Sequence, residues 1–274
     1  MLNKEEIKKI LKSEDLKILK SLGQNFLIDE NVLGKIVQTA ELNESDVVIE
    51  IGPGFGTLTE ELSKKCKKVI AIEKDKKLAE KLDGKFENIE IITDDILKIK
   101  LKEFIKKYAP DGKYKLVSNI PYYITSPIIK MFLESDIQPE LIVLLMQKEV
   151  AERICAKPGK LSVLALSVQV YGEPEIVDYV DKSSFYPEPK VDSAILKIKN
   201  IKKNFPNEYY KDLFRIIKIG FSSKRKKLAN NLSAGLHIGK TQSEELIAEA
   251  EINLNARAQE LRLEDWRKLV EIII

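Results

Sequence analysis

The chain has 274 residues, of which 44% are hydrophobic and 32% charged, and carries a net charge of +3; this suffices for one large domain, or for one domain and a small second one. No apolar run approaches the roughly 18 residues that span a membrane, and residues 1–6 lack the apolar core of a signal peptide. Two cysteines, Cys66 and Cys155, and a single histidine, His237, argue against a disulfide framework or a Cys/His zinc site and suit a reducing cytoplasm.

Residues 1–20 are rich in Lys and Glu, with Ile7, Ile10, Leu11, Leu16 and Leu19 as apolar positions, which predicts a short helical arm. In Ser21-Leu22-Gly23-Gln24-Asn25-Phe26-Leu27 the glycine breaks that helix. The stretch reads as a polar connecting loop or, from its two adjacent amides and two apolar residues, as a loop that closes over a ligand. Asp29 and Asn31 are caps for a helix over 32–39. The β-branched run Val47-Val48-Ile49-Glu50-Ile51 predicts a buried parallel strand. Gly52, Gly54 and Gly56 then make a turn, and Thr57 opens a helix with Leu58 and Leu62 on one face. Strand, glycine turn and helix form the corner of a doubly wound sheet where ligands sit beyond the carboxyl ends of strands. The spacing differs from the dinucleotide fingerprint, and Glu50 would repel a pyrophosphate but suits a ligand with a positive centre. S-adenosylmethionine has a sulfonium, an ammonium and no phosphate. The competing reading is a turn that only packs a helix on a strand.

A second strand over 68–73 ends in Glu73, 17 residues beyond Gly56, where a carboxylate accepts from ribose hydroxyls in this architecture. A third, over 89–96, brings Asp95 to its carboxyl end, in position to accept from an adenine amino group. The fourth, over 114–118, runs into Asn119-Ile120-Pro121-Tyr122. Pro121 restricts Ile120 to extended geometry, so the Ile120 carbonyl is held outward. Asn119 adds a side-chain carbonyl and Tyr122 a flat face, together two acceptors and a stacking platform for an exocyclic amino group. A strand over 139–146 and a helix over 147–155 follow, then a break at 157–160. Residues 184–190 are proline-punctuated and extended; Phe185 in that loop either packs internally or covers an aromatic ligand. A last strand covers 191–199.

Residues 201–204 mark a boundary, after which the pattern is helical over 209–219, 222–232, 243–251, 256–261 and 263–273. Between residues 202 and 227 there are nine Lys/Arg against two acids. Lys224, Arg225, Lys226 and Lys227 are expected at the start of the second of these helices, as a basic face for a phosphate backbone or simply a solvated surface.

These motifs resemble the KsgA-type small-subunit ribosomal RNA adenine dimethyltransferases, related to the erythromycin-resistance methyltransferases. The likeness runs from Leu22-Gly23-Gln24-Asn25-Phe26-Leu27 through Asn119-Ile120-Pro121-Tyr122 and Phe185-x-Pro187-x-Pro189-x-Val191-x-Ser193 to Arg257-Ala258-Gln259-Glu260-Leu261. It implies an α/β fold with a Rossmann-like, mostly parallel class I methyltransferase sheet over 1–200 and a small all-α, RNA-binding domain over 201–274. It also implies S-adenosylmethionine as cofactor, held by Asn25, Leu27, Gly52, Glu73, Asp95 and Asn119, and a target adenine sandwiched by Tyr122 and Phe185. The implied product is N6,N6-dimethyladenosine in small-subunit rRNA, made on a pre-30S particle by a cytoplasmic monomer. The enzymatic alternative is a large-subunit rRNA methyltransferase of the macrolide-resistance type. Lys157-Pro158-Gly159-Lys160 departs from the family's usual loop, which leaves the substrate-facing contour there open.

Overall fold

The computed structural model describes every residue except 15, 20, 21 and 86, so Ser21, the first residue of the expected N-terminal loop, lies outside the described residues. Nine strands form among the described residues: β1 (Phe26–Leu27), β2 (Val47–Ile51), β3 (Lys68–Glu73), β4 (Ile89–Thr93), β5 (Lys115–Asn119), β6 (Leu141–Gln147), β7 (Glu173–Val180), β8 (Phe185–Tyr186) and β9 (Ser193–Lys199). The main sheet has the order β4-β3-β2-β5-β6-β9-β7. Its first five strands pair parallel, whereas β9 runs antiparallel to both β6 and β7.

The parallel part follows from the apolar runs. Val48, Ile49, Val69, Ile70, Leu116, Val117 and residues 142–146 are buried on both sheet faces, as strands between two helix layers must be. The helices Thr57–Ser63, Lys76–Leu82, Leu101–Tyr108 and Thr125–Leu133 supply the crossovers. Because β2 continues into β3 on one side and has β5 on the other, the connections leaving β2 and β5 diverge, which opens a crevice above their carboxyl ends.

The helix Glu30–Thr39 is capped by Asp29, whose carboxylate accepts from the Asn31 and Val32 N–H groups. Its far end is tied to β5 by the buried Lys115, whose Nζ donates to the Ala40 carbonyl (3.2 Å), the Glu41 carbonyl (2.6 Å) and Asp46 Oδ2 (2.9 Å).

Two compact units result, residues 1–151 with 173–201, and residues 152–172 with 202–274. The first holds the sheet. The second holds the helices Val163–Gln169, Asn207–Gly220, Leu228–Leu236, Lys240–Glu249 and Leu263–Ile273, around a core of Leu213, Ile216, Ile217, Leu232, Ile247, Trp266 and Leu269. The change of composition near residue 201 coincides with a unit boundary. Residues 152–172, however, pack with the C-terminal helices, where Tyr171 stacks on Tyr210 at 4.9 Å and Gly159 N–H donates to the Gln259 carbonyl (2.8 Å). No helix among the described residues is long and apolar enough to cross a membrane.

Candidate active site

The glycine turn is built as its spacing requires. Gly52, Gly54 and Gly56 all have positive φ (69°, 60° and 82°), a region open to glycine at little cost. A Cβ on Gly54 would meet the Phe26 ring at 3.1 Å, and one on Gly56 would meet Leu82 Cδ2 at 2.5 Å. The turn therefore lies against both the N-terminal loop and the next crossover helix, and any side chain there pushes one of them away.

Above the turn lies a cleft of about 880 Å³, open solvent at its mouth included. It is lined by Asn25, Leu27, Gly52, Glu73, Asp95, Asn119, Ile120 and Tyr122, so four separate strand ends and the N-terminal loop deliver eight of the expected site residues to one place. The loop covers the cleft as a tied strap. Gln24 Nε2 donates to Asp75 (3.1 Å), and Phe26 and Leu27 pair with Tyr186 and Phe185.

Glu73, 6% exposed, accepts from the Gly54 N–H with one oxygen (3.1 Å) and from the Asp75 N–H with the other (2.8 Å). Burial raises its pKa, and the backbone donors pull the other way. The Gly54 N–H, which in a phosphate-binding loop would face an anion, is thus spent on a carboxylate. With Glu73, Asp94 and Asp95 on the cleft wall against one lysine, Lys74, the cleft repels a pyrophosphate and accepts a cationic, phosphate-free ligand. The donor set fits S-adenosylmethionine.

At the end of β5 the Asn119 amide is oriented by the strap: its Nδ2 donates to the Asn25 carbonyl (3.3 Å), which turns Oδ1 into the acceptor available to a ligand. Pro121 (φ −56°) follows. Among the described residues no hydrogen bond reaches the Ile120 carbonyl. Tyr122 is anchored by its hydroxyl on Ser193 Oγ (2.6 Å), which fixes the ring at the cleft wall, and burial raises its pKa.

Three expectations need correction. Phe185 does not line the cleft; it is 3% exposed and belongs to the core cluster with Leu27, Val143 and Ile195. Burying such a ring contributes roughly 1.5–3 kcal/mol, and the pairing of β8 with β1 puts it on the core side. The four basic residues do not begin a helix. They are exposed in the turn between the helices Asn207–Gly220 and Leu228–Leu236, with Lys227 at the cap position. The buried Asn231 holds that turn by donating to the Gly220 (2.5 Å) and Ser223 (3.0 Å) carbonyls. Glu50, finally, does not line the cleft; it is 2% exposed, and its Oε2 finds no partner among the described residues.

That burial pushes the Glu50 carboxyl up to about 8, with the Thr59 hydroxyl opposing and the Glu73 charge adding to the rise. An acid whose pKa rises on folding binds more protons in the native than in the unfolded state, so stability falls as pH rises. The window runs from about 4.5 to about 8. Glu50→Gln should flatten this slope in denaturant midpoints measured across that range; a variant with the wild-type slope would show that Glu50 is ionised throughout.

Sequence reasoning missed Lys74, whose ion pair with Asp95 (2.9 Å) joins two loops and leaves no local signal. It also missed Arg153, which borders a second cavity together with Lys160, from the loop 157–160, and Lys224; it reaches that cavity from the segment assigned to the other domain.

The profile of the family described as ribosomal RNA adenine dimethylase matches residues 15–274. The chain is similar to ribosomal RNA small subunit methyltransferase A of Dehalococcoides mccartyi strain BAV1, 43% identical over 96% of this chain and 91% of that one. With the protein of the same name from Clostridioides difficile strain 630 it is 39% identical over 97% and 94%. Among solved structures it resembles a dimethyladenosine transferase from Plasmodium falciparum, with TM-score 0.75 and 28% identity over 89% of this chain and 95% of that one. The 23S rRNA methyltransferase ErmE gives TM-score 0.71 and 29% identity over 90% and 99%.

Proposed function

The chain belongs to the ribosomal RNA adenine dimethylase family, and from that premise we propose that its strand-end cleft holds the methyl donor beside a grip for one adenine amino group. It is an S-adenosylmethionine-dependent methyltransferase that dimethylates adenosine N6 in small-subunit rRNA. The large-subunit alternative is not favoured, since these curated relatives carry the small-subunit name. The substrate is rRNA, and we infer that it is met within a pre-30S particle by a cytoplasmic monomer.

The observation that carries the site reading is the oriented amide of Asn119, with Nδ2 spent on Asn25. S-adenosylmethionine supplies a methyl group already activated on a sulfonium. Adenine N6 is a poor nucleophile because its lone pair is delocalised into the ring. Asn119 Oδ1 and the Ile120 carbonyl accept its two N–H bonds, draw the nitrogen toward tetrahedral geometry and expose the lone pair. No strong base is needed, and positioning supplies several kcal/mol. Tyr122 offers the stacking face, worth about 1–3 kcal/mol per base, against the few kcal/mol that extruding a base costs. Phe185 backs the site from the core. Asn25, Leu27, Gly52, Glu73 and Asp95 hold the cofactor, Glu73 at the ribose and Asp95 at the adenine.

The helical unit is read as the RNA-binding domain, with Lys224, Arg225, Lys226 and Lys227 on phosphates. Lys227 already donates to Asn255 (2.5 Å), which favours the first three as contacts. Replacing all four by Gln should flatten the salt dependence of RNA binding by roughly 0.7–0.9 per lost contact. Affinity for S-adenosylhomocysteine should not change. An unaltered slope, with normal methylation of pre-ribosomal particles, would make these charges mere surface.

A further inference from the structure

Asp95 borders the cleft with both carboxylate oxygens engaged. Oδ1 accepts from the Leu97 N–H (3.1 Å), and Oδ2 faces Lys74 Nζ (2.9 Å). Each carboxylate oxygen has a second lone pair, so a further donor can still be accepted. Oδ2 is the oxygen considered for it, because Oδ1 is engaged by the backbone of the turn and Oδ2 lies beside Lys74, which borders the cleft. Any amino group accepted there lies next to an ammonium by construction. Lys74 borders the same cleft and carries three donors and no acceptor. The pair therefore presents one acceptor and one donor side by side.

Adenine presents the complement along one edge: N6 donates and N7 accepts. Guanine presents two acceptors there, one of which would face the Asp95 carboxylate. The opposite flank of N6 carries N1, also an acceptor, and the structure offers it a different partner. Ile96 borders the cleft, is 3% exposed, and its N–H has no acceptor among the described residues. Buried backbone donors are almost always paired, so this N–H is a donor suited to N1, which would leave N7 to the side of Lys74.

Resting on the cofactor reading above, we propose that Lys74 and Asp95 act as one unit that reads the N6–N7 edge of the cofactor's adenine, with Asp95 Oδ2 accepting from N6 and Lys74 Nζ donating to N7. The ion pair then has a use that its stability does not explain. An ion pair whose lysine is half-exposed contributes little to folding, yet this one, with Asp95 only 17% exposed, is held on the cleft wall. The pair also keeps the carboxylate of Asp95 ionised, as an acceptor must be, and the butyl stem of Lys74 adds apolar wall.

The test is calorimetric binding of S-adenosylhomocysteine and of its 7-deaza analogue, in which a C–H replaces N7, to the wild-type chain, Lys74→Met and Lys74→Arg. The wild type should bind the analogue roughly ten-fold more weakly, the scale of one lost base-edge contact. Lys74→Met should bind the two alike, and Lys74→Arg, which restores a donor, should recover the discrimination. Equal binding of both ligands by the wild type overturns the proposal, as does discrimination that persists in Lys74→Met. Failure of the wild type to bind S-adenosylhomocysteine at all would instead overturn the cofactor reading on which it rests.

Discussion

Asn119→Ala should abolish most methyl transfer while leaving RNA affinity nearly unchanged. The amide matters chiefly as N6 changes geometry, so the loss belongs to the transition state and falls on kcat more than on KM. Removing a single preoriented polar group of this kind costs roughly 10²- to 10³-fold in kcat. The substitution also frees the Asn25 carbonyl, since Asn119 Nδ2 is its donor (3.3 Å), so a modest loosening of the strap and a small rise in the KM for cofactor should accompany it. Single-turnover rates with saturating cofactor separate the two effects. A near-native single-turnover rate would mean that the amino group is held elsewhere.

Glu73→Ala should weaken cofactor binding by roughly 1.5–3 kcal/mol, the scale of hydrogen bonds to a charged group, which is about ten- to a hundred-fold in Kd. The effect has two sources in this structure. The carboxylate is the proposed acceptor for the ribose hydroxyls, and it already accepts the Gly54 and Asp75 N–H groups (3.1 and 2.8 Å), so its loss leaves two backbone donors unpaired and frees the glycine turn. Glu73→Gln keeps the shape and one acceptor oxygen, and should recover part of the affinity. Calorimetry with S-adenosylhomocysteine on folded variants decides. Unchanged affinity in Glu73→Ala would remove the residue from the site.

What could be read ahead of the structure were features encoded over short stretches. β2, β3, β5 and β6 are buried on both faces and write themselves as unbroken apolar runs. That Glu73, Asp95 and Asn119 would line one cleft was legible because the fold opens it at strand ends, a rule that needs only the strand boundary. β7 escaped notice because it is a sheet edge: Glu173, Pro174, Glu175 and Asp178 interrupt its apolar residues, and among the described residues its one ladder is with β9, with a bulge between Ile176 and Asp178. The two-residue strands β1 and β8 have no period to detect, yet their pairing ties Phe185 to Leu27 and takes the ring out of the cleft. The basic run looked helical because it abuts a helical pattern. Its turn is set by Asn231, whose two acceptors, the Gly220 and Ser223 carbonyls, lie 11 and 8 residues away. Residues 152–172 joined the helical unit through contacts such as Tyr171 on Tyr210, and no local pattern announces a partner 39 positions away.

The most direct measurement of what this chain does is transfer of labelled methyl groups from S-adenosylmethionine to ribosomal particles that lack the modification, small and large subunits side by side, with the rRNA digested to nucleosides. The expected result is label in small-subunit rRNA alone, recovered as N6,N6-dimethyladenosine and lost with Asn119→Ala. Label in large-subunit rRNA, or on an atom other than adenine N6, would contradict it.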